Sequence, residues 1–131
     1  MKKKARNIIV VVIITIMLAY LAMMIDTNSL MGEVRDAFLW KISPDETANR
    51  PIDVYNYSRR ADTETLGDVN LILVRLLVIH NFRDGYMWAY YSYEARNPEG
   101  EIITGSWHII TKWKIHKENG KWEIIQIIEA P

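Results

Sequence analysis

The sequence predicts an α+β protein, with an N-terminal transmembrane helix followed by an amphipathic helix packed on a curved four-stranded antiparallel sheet. Three observations lead to this prediction. An uncharged apolar run opens the chain, apolar residues at helical spacing follow it, and from Val69 onward β-branched and aromatic runs alternate with hairpin connectors. At 131 residues the chain has room for one compact domain beside the apolar run.

The apolar run covers residues 8–25, IIVVVIITIMLAYLAMMI, and contains no charge. As a helix rising about 1.5 Å per residue it measures about 27 Å, close to the roughly 30 Å hydrocarbon thickness of a bilayer. We therefore predict a membrane anchor at 8–25. The alternative is a cleaved secretory signal, which calls for a shorter apolar core and small residues at a cleavage site.

Charge is distributed unevenly, although the formal net charge is zero. Four of the sixteen cations, Lys2, Lys3, Lys4 and Arg6, precede the run, which leaves twelve against sixteen acids from Asp26 onward. Basic residues before a span stay in the cytoplasm, so residues 1–7 are expected inside and residues 26–131 outside the cell membrane. A mildly acidic domain without a basic stripe argues against nucleic-acid binding, and without Cys there is no thiolate chemistry.

After the predicted anchor, Leu30, Val34 and Phe38 recur at i, i+4 and i+8, which predicts an amphipathic helix over residues 29–42. This helix can be continuous with the span. A polar segment occupies residues 43–68. It opens with SPDE, a capping box with Pro at the first helical position, so we predict a short helix that Pro51 ends.

The rest of the polar segment is harder to interpret. We predict a short strand at residues 52–57. Arg59 and Arg60 follow it, and two interpretations of the pair stay open: a site for an anionic ligand, or solvated surface of a loop.

Residues 69–129 predict four antiparallel strands joined in order. The runs VNLILVRLLVIHNF, GYMWAYYSYEA and ITGSWHIITKWKIH are separated by RDG, NPEG and NG, each a hairpin connector. The first run also fits a buried helix. In the last hairpin a two-residue Asn-Gly loop makes Glu118 face Lys121 and Ile115 face Ile124, so opposite charges meet and apolar groups meet.

Uninterrupted registers from turns at Asp84-Gly85 and at residues 97–100 divide the sheet into two faces. The predicted core face carries Leu73, Leu77, Ile79, Trp88, Tyr90, Trp107, Ile109, Trp113, Ile115, Ile124 and Ile128. The opposite face is also apolar over half its length, more than a monomer normally exposes. We therefore expect residues 50–68, a ligand, a second copy or another protein to cover it. The candidates for an interaction face are Val74, Leu76, Val78, Phe82, Met87 and Ile110.

The same registers suggest one candidate ligand pocket. Its hydroxyls and imidazole come from Tyr91, Tyr93, Thr104, Ser106 and His108. They suit the orientation of a small molecule, or general-base chemistry if a carboxylate stood near. His80 and His108 fall in one row two strands apart and lack a third ligand, so we predict no metal site. No motif for a cofactor, a nucleophile elbow or paired catalytic carboxylates occurs, so no cofactor is expected.

A helix followed by a curved antiparallel sheet that closes with the hairpin GKWEIIQI resembles the cystatin-like and NTF2-like families of small α+β domains. Many membrane-anchored bacterial extracytoplasmic proteins share this architecture, including components of secretion and conjugation machines. The resemblance implies a fold and a pocket. No Gln-x-Val-x-Gly loop of cystatin inhibitors occurs, and the catalytic residues of enzymatic NTF2-like members find no match.

Together these features predict a non-catalytic interaction or assembly domain on a single-pass anchor, which binds the lipid bilayer and either another membrane or extracytoplasmic protein or its own copy. The alternative is an NTF2-like pocket protein that binds or hydrolyses a small apolar molecule at Tyr91, Tyr93 and His108.

Overall fold

A computed structural model describes residues 2–57 and 66–129. Four helical segments come first: α1 Lys2–Asp26, α2 Asn28–Phe38, α3 Pro44–Thr47 and a 3₁₀ helix Pro51–Tyr55. The strands β1 Asp68–His80, β2 Asp84–Arg96, β3 Ile102–Glu118 and β4 Lys121–Glu129 follow. They form one antiparallel sheet in the order β1-β2-β3-β4, which confirms the predicted α+β class and the four-stranded sheet.

The first helix is long and apolar enough to cross a membrane, judged by its length and composition. None of its residues is buried within the chain. α1 and α2 are two helices rather than one, because Thr27 interrupts them and is itself fully buried.

The second helix is shorter than predicted and ends at Phe38 instead of residue 42. Trp40 takes a positive φ of 62° two residues later, a conformation that stops an α-helix. The buried residues of α2 are Leu30, Val34, Ala37 and Phe38, which share one helical face. The amphipathic pattern is therefore confirmed, and only the helix end was misplaced.

The predicted strand at residues 52–57 is wrong. Pro51 begins a 3₁₀ helix, which it suits because its fixed φ is helical and it lacks an N–H that the first turn cannot bond. Ile52 and Tyr55 of this helix are buried against α2 and the sheet. The short helix at the SPDE box is present, although Ser43 makes no side-chain capping bond.

The last hairpin has the register predicted for it. Glu118 pairs with Lys121 and Ile115 with Ile124, around a turn in which Asn119 and Gly120 have φ of 52° and 76°. Positive φ at both central residues is the geometry that Asn-Gly favours in two-residue hairpins.

The first turn lies elsewhere than predicted, and the second lies within the predicted residues 97–100 but is one residue shorter. Asn81 closes the first hairpin around Phe82 and Arg83: its N–H bonds the Asp84 carbonyl at 3.1 Å, and its side-chain oxygen accepts the Asp84 N–H at 2.8 Å. An Asn before a turn caps it in this way, which the Asp84-Gly85 prediction overlooked. The second hairpin turns on Pro98–Gly100, because the Asn97 N–H bonds the Glu101 carbonyl at 2.9 Å.

The ladders are also interrupted, which reverses much of the predicted division into faces. Register shifts occur once between β1 and β2, twice between β2 and β3 and once between β3 and β4. Each extra residue exchanges the parity that faces the core. In β2 the core side is therefore Met87, Ala89, Tyr91, Tyr93 and Ala95, all of which are buried.

Of the predicted core, Leu73, Trp113, Ile115 and Ile124 are buried, and Ile109 packs against them. The residues wrongly assigned to the core are Leu77, Ile79, Trp88, Tyr90, Trp107 and Ile128; they are exposed or half-buried and lie outside the core cluster.

Aromatic rings fill the space between α2, the 3₁₀ helix and the sheet. Phe38 lies 4.9 Å from the ring centres of both Tyr55 and Tyr91 and 5.2 Å from that of Tyr93. Tyr57 stacks on Tyr93 at 4.3 Å. Close ring pairs stabilise a core by more than the burial of their apolar area alone. Phe38 therefore holds the helical layer to the strands.

Replacing Phe38 by Ala should therefore lower the free energy of unfolding by about 3–5 kcal/mol, since it opens a cavity among four rings. Urea unfolding in detergent micelles, followed by circular dichroism, measures the loss. Ile102→Ala, at a half-exposed position, should change the same quantity by less than about 0.5 kcal/mol. Equal losses for the two variants would contradict the assigned core.

Candidate functional site

The structure divides the predicted ligand pocket between the two faces of the sheet. Tyr91 and Tyr93 are buried in the core. Thr104 and Ser106 pair with Ala95 and Tyr93 on that same side. His108 is exposed on the opposite face, because the register shift opposite Ser92 places it in a bulge with a φ of 56°. The five residues therefore do not line one cavity.

The hydroxyl groups of Tyr91, Tyr93 and the neighbouring Tyr55 make hydrogen bonds within the core. Tyr93 accepts the Trp40 indole N–H at 2.6 Å, and Tyr91 donates to the Glu129 carboxylate. Tyr55 accepts the Trp113 indole N–H at 2.9 Å. Burial raises the pKa of Tyr55 and of Tyr91 above the ordinary value, so both stay protonated near neutral pH and act as neutral hydrogen-bonding groups, not as bases.

Of the six residues predicted to form an interaction face, four are exposed and two are buried. Val74, Leu76, Phe82 and Ile110 are exposed. Val78 and Met87 pair with each other and are fully buried, because the extra residue Leu76 turns the following part of β1 over. They lie in the core and are not available to a partner.

A broad apolar surface covers the side of the sheet opposite α2, and we call it the outer face. Registers place Leu77 opposite Trp88, Val74 opposite Tyr90, and Tyr90 opposite Ile110, so these side chains share one side. Its exposed apolar members are Ile72, Val74, Leu77, Ile79, Tyr86, Trp107, Ile110 and Ile128. Among the described residues no helix packs on this side: the buried residues of α2 and the 3₁₀ helix belong to the core cluster.

Polar groups on the outer face fix the orientation of its rings. The Lys112 ammonium lies 4.4 Å from the Tyr86 ring centre and 5.1 Å from that of Trp88. The Tyr90 hydroxyl lies 2.9 Å from His108 Nδ1. A cation over two rings and a bonded phenol keep these side chains in place, so the surface is preorganised for contact rather than collapsed on itself.

Trp107 lies across a glycine at the other end of the outer face. A Cβ added at Gly105 would stand 2.6 Å from the Trp107 ring, so only glycine leaves room for the indole there. Asn70, Ile72, Ser92, Glu94 and Trp107 line a small hollow of about 180 Å³ beside it. The hollow is shallow and holds one carboxylate, and no group beside it forms a catalytic arrangement.

A second feature, which the sequence did not predict, is a tight junction between the end of α1 and the sheet. β1 is an edge strand, and the Asn81 N–H that follows it bonds across to Asp84 at the start of β2. Because N–H directions alternate along a strand, the Val78 and His80 N–H groups point away from β2. The Tyr20 hydroxyl accepts the first at 3.4 Å and Met23 Sδ the second at 3.5 Å. The helix therefore satisfies donors that an edge strand leaves open.

Ionic and polar bonds complete the junction. Arg75 donates to the Met24 carbonyl at 2.9 Å and to Asn28 Oδ1 at 3.0 Å, and burial lowers the Arg75 pKa. Glu94, on the neighbouring strand, pairs with Arg96 at 3.0 Å instead of with Arg75. Asp26 accepts bonds from Lys117 at 2.9 Å and from the Trp122 indole at 2.8 Å.

The three histidines lie apart, and each has a different contact. His80 packs on Trp122, His108 lies on the outer face, and His116 bonds Asp84 at 2.7 Å. The described parts of the chain contain no cluster of three or more His, Asp or Glu residues able to hold a metal ion. Arg59 and Arg60, the candidate anion site, lie outside the described residues.

Comparison with known proteins gives no relative from which a role might be transferred. No protein-family model matches the chain, and neither a curated protein nor a solved structure matches it. The resemblance to cystatin-like and NTF2-like domains therefore stays a prediction.

Asp26→Ala should weaken the junction, because it leaves the buried Trp122 indole N–H without its acceptor. We expect the free energy of unfolding, measured in detergent micelles, to fall by about 1–3 kcal/mol. Asp36→Ala makes the same change at an exposed position of α2 and should shift it by less than about 0.5 kcal/mol. An Asp26→Ala protein as stable as this control would show that the junction contributes nothing.

Proposed function

We propose that this chain is a single-pass membrane protein whose extracytoplasmic α+β domain binds another protein, or a second copy of itself, through the outer face. The anchor holds the domain at the membrane, and confinement there raises its effective concentration for a neighbour. The domain acts by binding and positioning, without catalysis.

The observation that carries the proposal is the exposure of the outer face. Its apolar side chains extend over all four strands, from Ile72 to Ile128, while the opposite side of the same sheet is already covered. Contiguous apolar surface of this kind marks interaction sites, since a soluble surface otherwise keeps such patches small. Tyr and Trp are enriched at protein interfaces, and here Tyr86 and Trp107 are exposed on this face.

Two features support the membrane location. α1 is long and apolar enough to span a bilayer, and its exposed side chains are almost all apolar between Ile8 and Ile25. The basic residues at positions 2–6 precede the span, and their position favours a cytoplasmic N terminus.

The alternative of a pocket that binds or hydrolyses a small apolar molecule has less support. Its residues are divided between the two faces, and the Tyr91 and Tyr93 hydroxyls already have partners in the core. We therefore put forward only the binding function.

Val74→Asp tests the outer face, and the chain offers a matched control. Val74 is 47% exposed on the outer face and Val54 is 46% exposed on the 3₁₀ helix, away from it. Chemical crosslinking in intact membranes, followed by mass spectrometry, should give a complex for the wild type and for Val54→Asp. In Val74→Asp the yield of crosslinked complex should fall at least about tenfold, because a charge replaces an apolar contact.

Circular dichroism of both Asp variants checks that the strands are retained. A wild-type chain that crosslinks to nothing would contradict the proposal. So would a complex equally strong in the Val74→Asp and Val54→Asp proteins.

Orientation is tested separately with single cysteines, since the chain has none of its own. Glu99→Cys lies in the exposed turn between β2 and β3, and Lys2→Cys lies before the span. In intact spheroplasts a membrane-impermeant maleimide should label position 99, and position 2 only after lysis. The reverse pattern would contradict an extracytoplasmic domain.

A further inference from the structure

The junction brings one part of the sheet to the level at which α1 leaves the apolar run. His80 Nε2 lies 2.9 Å from the Met23 carbonyl oxygen. Met23 stands two residues before Ile25, the last residue of the run, a rise of about 3 Å along a helix. His80 therefore lies at the boundary of the hydrocarbon layer when α1 spans a bilayer. Phe82 follows two residues later, within about 8 Å of the His80 Cα.

Apolar side chains are exposed along the part of β1 that contacts α1 and in the turn that follows it. Leu76, Ile79 and Phe82 are each about half exposed. Leu76 is the extra residue of the β1 bulge, where pairing in the ladder does not require an apolar side chain.

Phe82 is the least expected residue of the turn. Its φ is 66°, a conformation that Gly and Asn adopt readily and that is strained for a bulky side chain. Its ring meets His80 edge-on at 4.8 Å, yet half of the side chain stays exposed. Neither the backbone nor burial explains why an aromatic residue stands at this tip.

A cationic residue follows Phe82 in the chain. The Arg83 side chain is 79% exposed, and its Nε lies 4.0 Å from the Asp84 carboxylate. An aromatic residue next to an exposed guanidinium suits the bilayer interface, where the ring meets the ends of the acyl chains and the cation meets phosphates.

We propose that the tip of the β1–β2 hairpin enters the interfacial layer of the bilayer, with Phe82, Ile79 and Leu76 against the acyl boundary and Arg83 at the lipid phosphates. This inference rests on the membrane anchoring proposed above. It gives the domain a second lipid contact beside α1, and it separates the tip, which binds lipid, from the rest of the outer face, which binds protein.

The test uses the full chain in vesicles of phosphatidylcholine and phosphatidylglycerol. The environment-sensitive dye NBD is attached to single cysteines at Thr15→Cys in the span, Phe82→Cys at the tip and Glu99→Cys at the far turn. Dye at 15 and 82 should emit at shorter wavelength and be quenched by lipids that carry a doxyl group. Dye at 99 should report water.

Each outcome has a separate meaning. Dye at 15 in lipid and dye at 82 in water would overturn the hairpin contact and leave the anchor intact. Dye at 15 in water would overturn the anchor itself. A blue shift at 82 without quenching by doxyl lipids would mean that protein, not lipid, covers the tip, and would also overturn the inference.

A second variant separates the contribution of Phe82 from that of the dye. Phe82→Asn suits the positive φ, so the turn is expected to be retained. Dye at Arg83→Cys should be quenched by doxyl lipids when Phe82 is present and lose that quenching in the Phe82→Asn background. Quenching that is unchanged by Phe82→Asn would contradict a role for the aromatic ring.

Discussion

The contact between the last two turns of α1 and the edge of β1 determines how the rest of this protein is arranged. Backbone donors of Val78 and His80 meet Tyr20 and Met23, while Arg75 and Trp122 bond the end of the helix. An edge strand left open would be a site for unwanted pairing, and a helix end left open would carry unbonded carbonyls. The junction satisfies both with the same few residues, so helix and sheet form one unit.

The sheet has apolar side chains on both sides, and the helices within residues 2–57 and 66–129 cover only one of them. α2 and the 3₁₀ helix enclose the rings of Phe38, Tyr91 and Tyr93, and the phenol and indole groups find partners inside that layer. Polar atoms placed so deep stabilise the core only because they are bonded. On the outer face no described helix encloses the rings, and the Lys112 and His108 contacts hold these rings in position while leaving the face exposed.

Much of the fold was predictable from the sequence, because the signals that specify it come from residues close together in the chain. Asn119-Gly120 specifies its own turn geometry, and complementary neighbours then fix the β3–β4 register from the turn as far as Ile115 and Ile124. The apolar spacing of α2 likewise identified Leu30, Val34 and Phe38 as core residues. Helix and hairpin signals of this type need no knowledge of distant parts of the chain.

The division of the faces was not predictable in the same way. β2 has large apolar groups at both parities, with Trp88 and Tyr90 on one side and Tyr91 and Tyr93 on the other, so hydrophobicity does not choose between them. Single-residue bulges then decide, and the residue inserted at Leu76 leaves no clear mark in the sequence. One available signal was missed: the small residues Ala89 and Ala95 mark the side of β2 on which helices lie close.

Thr27 is the only residue between α1 and α2, and it is fully buried. In the proposed arrangement, this one-residue link between anchor and domain keeps the outer face at a constant height and tilt above the lipid. Only a protein that presents its own binding surface at the same height above the membrane can then contact the sheet.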